Sequence, residues 1–451
     1  MKYKCYRSTV YDWLPSVPKH WQPKTLRSLT SVSSERKGNQ PAELLSVYRE
    51  YGVIRKKSRD DNHNVESEDT SNYKRVGKGD LVMNKMKMWQ GSLGVSEYDG
   101  IVSPAYIVCH LTDTTIYAKY LHMLLRSPLF KTYYNRVSYG VRVGQWDMRY
   151  DDFKSLVIYV PPREEQDQIV RYLDWQVSRI NKLIAAKKSA IVLLKENKQA
   201  IVGHLVTRGL AQREINPSEI YWLSGVPAGW RITKLKHILT KERRSIPEGA
   251  ELLICSNSGD VKLRGDGKLG LVASSDEIYQ GVAQGDLLIH GMDTWHGAIA
   301  ISSYDGMCTP VVHVCSCRES KRFVAYYLKM MAYTKVFKKI SNGVRQNTSD
   351  FRSWDKVGDL LIALPSIDEQ ERIADYIDVE QEKCDSMIAV YNSEIDMLHE
   401  LRTRIISDVV TGQIDVRGIE VPDFDMVEEM GTDDESLDDV DITEDAEEQE
   451  E

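Results

Sequence analysis

The residues Trp-Leu-Pro-Ser-Val-Pro at positions 13–18, followed by Trp21, return later in the chain as Trp-Leu-Ser-Gly-Val-Pro at 222–227, followed by Trp230. The two copies are separated by a constant offset of 209 residues. Self-similarity at a fixed offset is the signature of an internal repeat. The sequence therefore predicts that one structural unit is built twice.

Further motifs keep nearly the same spacing. Gly-Asp-Leu at 79–81 returns at 285–287, and Glu165-Gln166 returns 204 residues later as Glu369-Gln370. Other matching positions are Trp89 with Trp295, Tyr98-Asp99-Gly100 with Tyr304-Asp305-Gly306, and Gly140-Val141-Arg142 with Gly343-Val344-Arg345. Because the motifs keep their order, the repeat extends over almost the whole chain.

Each half divides into about 160 residues of glycine-punctuated sequence and about 45 residues that read as one helix, with Pro161 and Pro365 at the boundaries. Short apolar runs predict strands at Leu156–Val160 and Gly306–Val314, and helical periodicity predicts helices at Tyr117–Leu125 and Phe323–Met331. The predicted fold class is mixed α/β (α+β), with a pseudo-twofold internal repeat.

The two long segments predict helices with heptad-spaced apolar positions. Neither proline nor glycine occurs from Glu164 to Val202 or from Glu369 to Val410. The predicted packing positions are Ile184, Ile191, Leu194 and Ile201 in the first helix and Ile388, Ile395, Leu398 and Ile405 in the second. Residues 161–217 carry a net charge of +4 and residues 366–417 a net charge of −8, which favours antiparallel coiled-coil pairing of the two helices. Ordinary bundle core is the alternative.

The net charge of −8 conceals an uneven distribution. Residues 1–417 carry a net +9, whereas residues 418–451 contain 17 acidic and no basic side chains. This composition predicts a disordered acidic tail, either for solubility or as an electrostatic mimic that competes with a polyanionic ligand for the basic part of the chain. Seven scattered cysteines and the lack of a long apolar segment predict a cytoplasmic protein.

The duplicated Trp-Leu-x-x-Val-Pro-x-x-Trp opening resembles the specificity subunit of type I restriction–modification systems. So do the Pro161-Pro162-Arg163-Glu164-Glu165-Gln166 and Pro365…Glu369-Gln370 signatures that close each globular part. The resemblance covers about residues 10–413. It implies two target-recognition domains at 1–160 and 218–365, two spacer helices at 161–209 and 366–413, and an added tail at 418–451.

The resemblance also implies a function without catalysis by this chain. Each recognition domain would read one half of a split, asymmetric DNA sequence, and the paired helices would set the gap between the halves. The implied protein partners are two modification subunits, which methylate adenine N6 with S-adenosylmethionine, and restriction subunits, which use ATP and Mg²⁺ to translocate and cleave. The sequence contains no P-loop and no adenine-methyltransferase motif, so this chain is expected to bind no cofactor and to have neither activity. A helical-rod adaptor without DNA recognition is the alternative.

Candidate DNA-binding residues lie in segments where the two halves differ. Lysines, Asn and Gln can contact phosphates and adenine edges. The residues in the first half are Asn84, Lys85, Lys87 and Gln90, and those at matching positions in the second half are His290 and His296. The shared Trp89 and Trp295 are predicted to pack in the core.

A second group follows the repeated Gly-Val. It consists of Arg142 and Gln145 in the first half and Arg345, Gln346 and Asn347 in the second. Arginine beside an amide side chain suits phosphate or base contact, and a structural loop is the alternative. His313, Cys315 and Cys317 alternate along one predicted strand, which is poor chelate geometry, so no metal site is predicted.

Overall fold

The computed structural model describes residues 2–38, 41–49, 51–56, 69–140, 146–220, 222–257, 259–264, 279–340 and 351–427. The chain forms two compact units. Unit 1 comprises Met1–Lys187 and Ser393–Glu451, and unit 2 comprises Lys188–Asn392.

Unit 1 combines short strands with four short helices. Its strands are β1 (Tyr6–Ser8), β2 (Ser16–Pro18), β3 (Gln22–Thr25), β4 (Thr30–Val32), β5 (Leu45–Tyr48), β6 (Gly52–Arg55), β7 (Lys74–Val76), β8 (Leu81–Asn84), β9 (Leu93–Val95), β10 (Gly100–Val102), β11 (Tyr106–Leu111), β12 (Ser138–Tyr139), β13 (Asp147–Met148) and β14 (Val157–Val160). Its short helices are α1 (Leu26–Leu29), α2 (Ala118–Leu125), α3 (Pro128–Val137) and α4 (Tyr150–Lys154). The long helix α5 (Arg163–Arg208) begins in unit 1 and ends in unit 2.

Unit 2 contains a closely similar series of elements. Its strands are β15 (Ile215–Asn216), β16 (Val226–Pro227), β17 (Arg231–Lys234), β18 (Leu239–Lys241), β19 (Leu253–Cys255), β20 (Val261–Leu263), β21 (Gln280–Val282), β22 (Leu287–His290), β23 (Ile299–Ile301), β24 (Gly306–Cys308), β25 (Val312–Cys317) and β26 (Leu361–Leu364). Its short helices are α6 (Lys321–Tyr333), α7 (Val336–Ile340) and α8 (Trp354–Gly358). The long helix α9 (Ile367–Val410) begins in unit 2 and ends in unit 1.

Both units are organised around a four-stranded antiparallel sheet with the same strand order. The order is β4-β11-β8-β9 in unit 1 and β18-β25-β22-β23 in unit 2. The pair β3–β14 in unit 1 corresponds to β17–β26 in unit 2, and β7–β10 corresponds to β21–β24. All named strand pairs in the described ranges are antiparallel, so the predicted mixed class is confirmed and is of the α+β kind.

Successive residues of β8, and of its counterpart β22, contribute to two different apolar clusters, because side chains along a strand alternate between the two faces. In unit 1, Leu81 and Met83 belong to the large core with α2 and α3, whereas Val82 belongs to a smaller cluster beneath β5 and β6. In unit 2, Leu287 and Ile289 face the large core and Leu288 faces the small one. Each sheet is therefore covered on both faces.

Pairs of residues from α5 and α9 show the direction of the helices within each unit. In unit 1, Arg402 Nη1 donates to Asn181 Oδ1 at 3.1 Å and Lys187 Nζ donates to Glu394 Oε2 at 2.5 Å. Since the residue number rises along one helix as it falls along the other, the helices run antiparallel there. In unit 2, Lys198 Nζ donates to Asp385 Oδ1 at 2.5 Å.

The eight residues assigned to helix packing are all buried or half-buried. The fully buried ones are Ile184, Ile191 and Ile395, and the half-buried ones are Leu194, Ile201, Ile388, Leu398 and Ile405. An apolar stripe of this kind supplies most of the stability of a long helix, because propensity alone is marginal in water.

Two details differ from the sequence expectations. The strand predicted at Gly306–Val314 is two strands, β24 and β25, separated by a turn at Pro310, which has no N–H to donate to a sheet. Residues 418–427, assigned to the disordered tail, contact α5 in unit 1: Gln168 Nε2 donates to Ile419 O at 2.7 Å, and Val427 N donates to Ser178 Oγ at 3.1 Å. The prediction was based on the average composition of residues 418–451, which is dominated by acidic residues although apolar residues occur at the start of the segment.

The cysteines allow a direct test of burial. All seven are free thiols, and Cys5 is exposed. Burial raises the pKa of Cys109, Cys255 and Cys308 to about 12, so their thiolate fraction at pH 8 is very small. We expect iodoacetamide to alkylate Cys5 of the native chain at least tenfold faster than these three, as measured by peptide mass spectrometry. Rapid modification of Cys255 before unfolding would contradict the packing described here.

Candidate nucleic-acid interface

The repeated Gly-Asp-Leu motif builds a turn at the start of the central strand. Asp80 Oδ2 accepts the main-chain N–H of Gly77 at 2.7 Å, and Asp286 Oδ2 accepts that of Ala283 at 2.8 Å. Both carboxylates are buried. Asp80 also lies 2.7 Å from His110, whereas Asp286 pairs with Arg244. The shared residues of this motif therefore form the scaffold.

The repeated Tyr-Asp-Gly motif is also structural. Asp99 Oδ1 accepts the N–H of Lys78 at 2.9 Å, and Asp305 Oδ1 accepts that of Gln284 at 2.8 Å. A Cβ atom on the glycine that follows would lie 2.5 Å from a carbonyl oxygen in unit 1 and 2.7 Å in unit 2, so only glycine fits. The aspartate and the glycine of this motif therefore close a turn in each unit.

The Glu-Gln signature attaches each long helix to its globular part. Gln166 Oε1 accepts the N–H of Tyr117 at 2.7 Å, and its Nε2 donates to Thr115 O and Pro161 O. In unit 2, Gln370 accepts from Ser320 N at 3.1 Å and donates to Pro365 O at 3.0 Å. These buried amides hold equivalent positions.

The preceding glutamate is a second anchor in unit 1. The carboxylate of Glu165 accepts hydrogen bonds from Tyr3 Oη at 2.7 Å and from Trp21 Nε1 at 3.0 Å, and it lies 2.7 Å from His20 Nε2. Burial and the hydrogen bond to Glu165 raise the pKa of the Tyr3 phenol. In unit 2, Glu369 instead pairs with Arg213 at 3.0 Å. The signature residues thus join helix to domain.

The first candidate segment forms a 3-10 helix, Lys85–Gln90, directly after β8. Asn84 precedes it, and its Oδ1 accepts the N–H of Met86 at 3.2 Å, so this buried side chain serves as the helix cap. Gly91 ends the helix with a φ of +89°, a conformation that favours glycine. The Oδ1 atom of Asn84 is therefore used inside the protein.

The three polar side chains that follow are half-buried. Lys85 Nζ lies 3.5 Å from the carboxylate of the half-buried Asp147, and Lys87 and Gln90 lie on the same 3-10 helix. Trp89 is half-buried rather than fully enclosed, and its ring centroid is 5.2 Å from that of Trp146. A short helix with two lysines and an amide at its surface can present donors to phosphates and bases.

The corresponding segment of unit 2 forms a 3-10 helix at Thr294–His296 after β22. His290 Nδ1 lies 3.1 Å from Asp293 Oδ2, and burial lowers the pKa of this imidazole although Asp293 opposes the change. His296 is exposed, and its ring packs 5.5 Å from that of Trp295. Trp295 is half-buried against the large core of unit 2.

The second group of candidates, Arg142, Gln145, Arg345, Gln346 and Asn347, lies outside the described residues. The residues that flank these segments adjoin the 3-10 helices. Trp146 follows the first segment and packs on Trp89. In unit 2, Lys338 lies two residues before the end of α7, and its Nζ is 5.7 Å from the ring centroid of Trp295.

The structure also brings together cations that sequence reasoning missed. Arg36 and Lys74 face each other across an antiparallel bridge in unit 1, although they are far apart in the chain. A comparison of equivalent positions in the two repeats could have identified them, because their counterparts in unit 2, Ser245 and Gln280, are uncharged.

Other kinds of site are not seen in the described part of the chain. His313, Cys315 and Cys317 lie in β25, and His313 Nε2 is 2.7 Å from Phe351 O. In the described ranges, no three His, Cys, Asp or Glu side chains converge as metal ligands would. No helix within the same ranges combines the length and apolar character needed to span a bilayer.

Comparison with known proteins agrees with this arrangement. Residues 18–193 match the family model of the type I restriction modification DNA specificity domain. The structure is similar to a chain from a study of complex assembly and conformational transition in the type I R-M system, with a TM-score of 0.63 and 15% identity over 88% of this chain and 99% of that chain. It is also similar to the HsdS subunit from Thermoanaerobacter tengcongensis, with a TM-score of 0.50 and 17% identity over 90% and 100% of the two chains. The resemblance predicted from the duplicated motifs is therefore confirmed: residues 18–193 match the DNA specificity domain of type I restriction–modification systems, and the fold of the chain is similar to that of solved structures from such systems.

Proposed function

We propose that this chain is the DNA-sequence-specificity subunit of a type I restriction–modification complex and that it binds a bipartite, asymmetric DNA target with one half-site per unit. The observation that carries this proposal is a scaffold built twice with different side chains at the candidate contact positions. Five of the seven residues at 84–90 differ from those at 290–296, whereas the turn-forming residues around them are retained. Two readers of unequal half-sites need this combination.

In this proposal α5 and α9 are an antiparallel coiled-coil spacer that sets the gap between the half-sites. The ion pairs within each unit, Lys187 with Glu394 and Lys198 with Asp385, support the pairing and follow the opposite net charges of the two helices.

The chain is further proposed to scaffold two modification subunits and the restriction subunits. Exposed apolar side chains on the long helices support protein binding, because contiguous exposed apolar surface marks interaction sites. Those in unit 2 include Val192, Leu193, Val379 and Val390, and those in unit 1 include Leu183, Met397 and Leu401. S-adenosylmethionine, ATP and Mg²⁺ would act in the partners, and this chain would be non-catalytic.

The proposal predicts that recognition can be damaged in one half-site alone. We expect His296→Ala to weaken binding to the specific duplex by about tenfold, since one lost base contact is worth about 1–3 kcal/mol. His296 is exposed, so the fold should be retained. In methylated DNA from cells that carry this variant, only the half-site read by unit 2 should lose its sequence preference. Relaxation of both half-sites would contradict the assignment.

The decisive experiment is methylome sequencing of cells that express this chain with its cognate modification subunit. The expected result is adenine methylation at a split sequence with two fixed halves and a gap of fixed length. The chain and modification subunit together should also bind duplex DNA with a strong salt dependence. A complex that forms but shows neither property would favour the helical-rod adaptor.

A further inference from the structure

Three basic residues of unit 1, Arg36, Lys74 and Lys85, form a group that we call the cation cluster. Arg36 and Lys74 are directly opposed on neighbouring antiparallel segments, so their side chains lie on the same face. Lys85 follows Asn84, which is paired with Tyr106, and the ammonium of Lys74 donates to the carbonyl of that tyrosine. The cluster therefore lies beside the 3-10 helix that carries the candidate recognition residues.

The cluster is electrostatically unfavourable in the free protein. Arg36 Nη1 donates to the neutral carbonyl of Asn72 at 2.6 Å, and Lys74 likewise donates to a carbonyl. Partial burial, Arg36 and Lys85 all lower the pKa of Lys74, which means that its charged form is disfavoured. Among the described residues, the one carboxylate paired with the cluster is that of Asp147, 3.5 Å from Lys85.

Unit 2 shows that the fold does not require these charges. The three equivalent residues are Ser245, Gln280 and Gly291, all neutral. Gln280 Nε2 donates to Val312 O at 2.5 Å, and Val312 is the counterpart of Tyr106. Glutamine therefore makes the same hydrogen bond as Lys74 without a charge. The positive charges of unit 1 must serve something other than this hydrogen bond.

We propose that the cation cluster binds a backbone phosphate of duplex DNA beside the Lys85–Gln90 helix, and that unit 2 has no equivalent contact. This inference rests on the proposed function and adds to it an unequal division of phosphate binding. A phosphodiester would offset the repulsion among the three cations and accept charge-assisted hydrogen bonds from them. Phosphate contacts fix register without reading sequence, so unit 1 would hold its half-site in place more strongly than unit 2.

The test compares the full-length chain, assembled with its modification subunit, with the variant Arg36→Ser/Lys74→Gln/Lys85→Gln. A 30-base-pair duplex of random sequence is the probe, titrated from 50 to 200 mM KCl. Each phosphate contact adds about 0.9 to the slope of log affinity against log salt. We expect the triple variant to bind at least tenfold more weakly at 50 mM KCl, with a slope smaller by about 1. Lys182→Gln, an exposed lysine on α5, is the matched control and should lower affinity less than twofold.

Thermal unfolding without DNA separates binding from folding. Because the like charges repel, the triple variant should melt at the same temperature as the wild-type chain or higher. A lower melting temperature would assign the three residues a structural role and overturn the inference. Wild-type affinity and slope in the triple variant would overturn it while leaving the proposed function intact. If the wild-type complex binds neither random nor methylated-target duplex, the proposed function itself fails, and the inference fails with it.

Discussion

Replacing Gln370 with leucine is expected to lower the free energy of unfolding of unit 2 by about 3 kcal/mol. The side chain is completely buried and satisfies three polar partners: the N–H of Ser320, the carbonyl of Pro365 and, at 2.8 Å, the carboxylate of Glu319. Leucine has similar volume but makes none of these three hydrogen bonds, and each buried group left unsatisfied costs about 1–3 kcal/mol. Because one of the three partners, Glu319, is charged, we use the upper end of this range, about 3 kcal/mol.

The loss of stability in the Gln370→Leu variant should be confined to the junction between β26 and α9. Hydrogen exchange measured by mass spectrometry should show faster exchange in peptides that cover α6, β26 and the first turns of α9, with unit 1 unchanged. Gln199→Leu is the matched control, because Gln199 is exposed on α5 and should shift stability by less than about 0.5 kcal/mol. An equal loss in both variants would show that the amide is not an anchor.

The same reasoning explains what the repeated motifs are for. Motifs that recur at constant offset might be taken as ligand contacts, but Asp80, Asp99 and Gln166 each bind main-chain groups of their own unit. If the two units read different half-sites, as proposed, their identical residues are most useful for building the scaffold. The differing positions are therefore the more informative ones for function.

Sequence reasoning predicted the repeat and the long helices because these depend on local pattern. The helices begin at Arg163 and Ile367, just after the prolines, and end at Arg208 and Val410, just before Gly209 and Gly412, which both have positive φ. Apolar alternation predicts one strand across Gly306–Val314. The observed break between β24 and β25 occurs at Pro310, which cannot donate a main-chain hydrogen bond to a sheet. The chemistry of Asn84 alone predicts base contact, whereas its use as a helix cap depends on the backbone turn after β8.

The cation cluster could not be found by scanning one copy of the repeat. Arg36 and Lys74 are 38 residues apart, and only the pairing of two extended segments makes them neighbours. Counting charges in a short sequence window cannot detect such a pair, because the two residues never fall in the same window. The comparison of equivalent positions in the two units supplies the missing information.

The second large effect is expected on the long helices. The double variant Leu193→Asp/Val390→Asp should weaken capture of the modification subunit at least 100-fold and abolish methylation in cells. Leu193 is 64% exposed and Val390 is 56% exposed, so neither contributes much to the core of unit 2. If a partner covers them, each loses about 1.5–3 kcal/mol of apolar burial, and the introduced carboxylates must in addition be desolvated.

Two measurements distinguish lost docking from lost folding. The circular dichroism and melting temperature of the double variant should match those of the wild-type chain, because aspartate at an exposed helix position costs only a few tenths of a kcal/mol in propensity. Leu263→Asp is the matched control: Leu263 is 41% exposed and lies in β20 rather than on a long helix, so this variant should still capture the modification subunit. Full capture by the double variant would place the modification subunit elsewhere on the chain. Failure of both variants to capture it would mean that any added negative charge on unit 2 disrupts assembly, and the apolar residues of α5 and α9 would then have no special part in it.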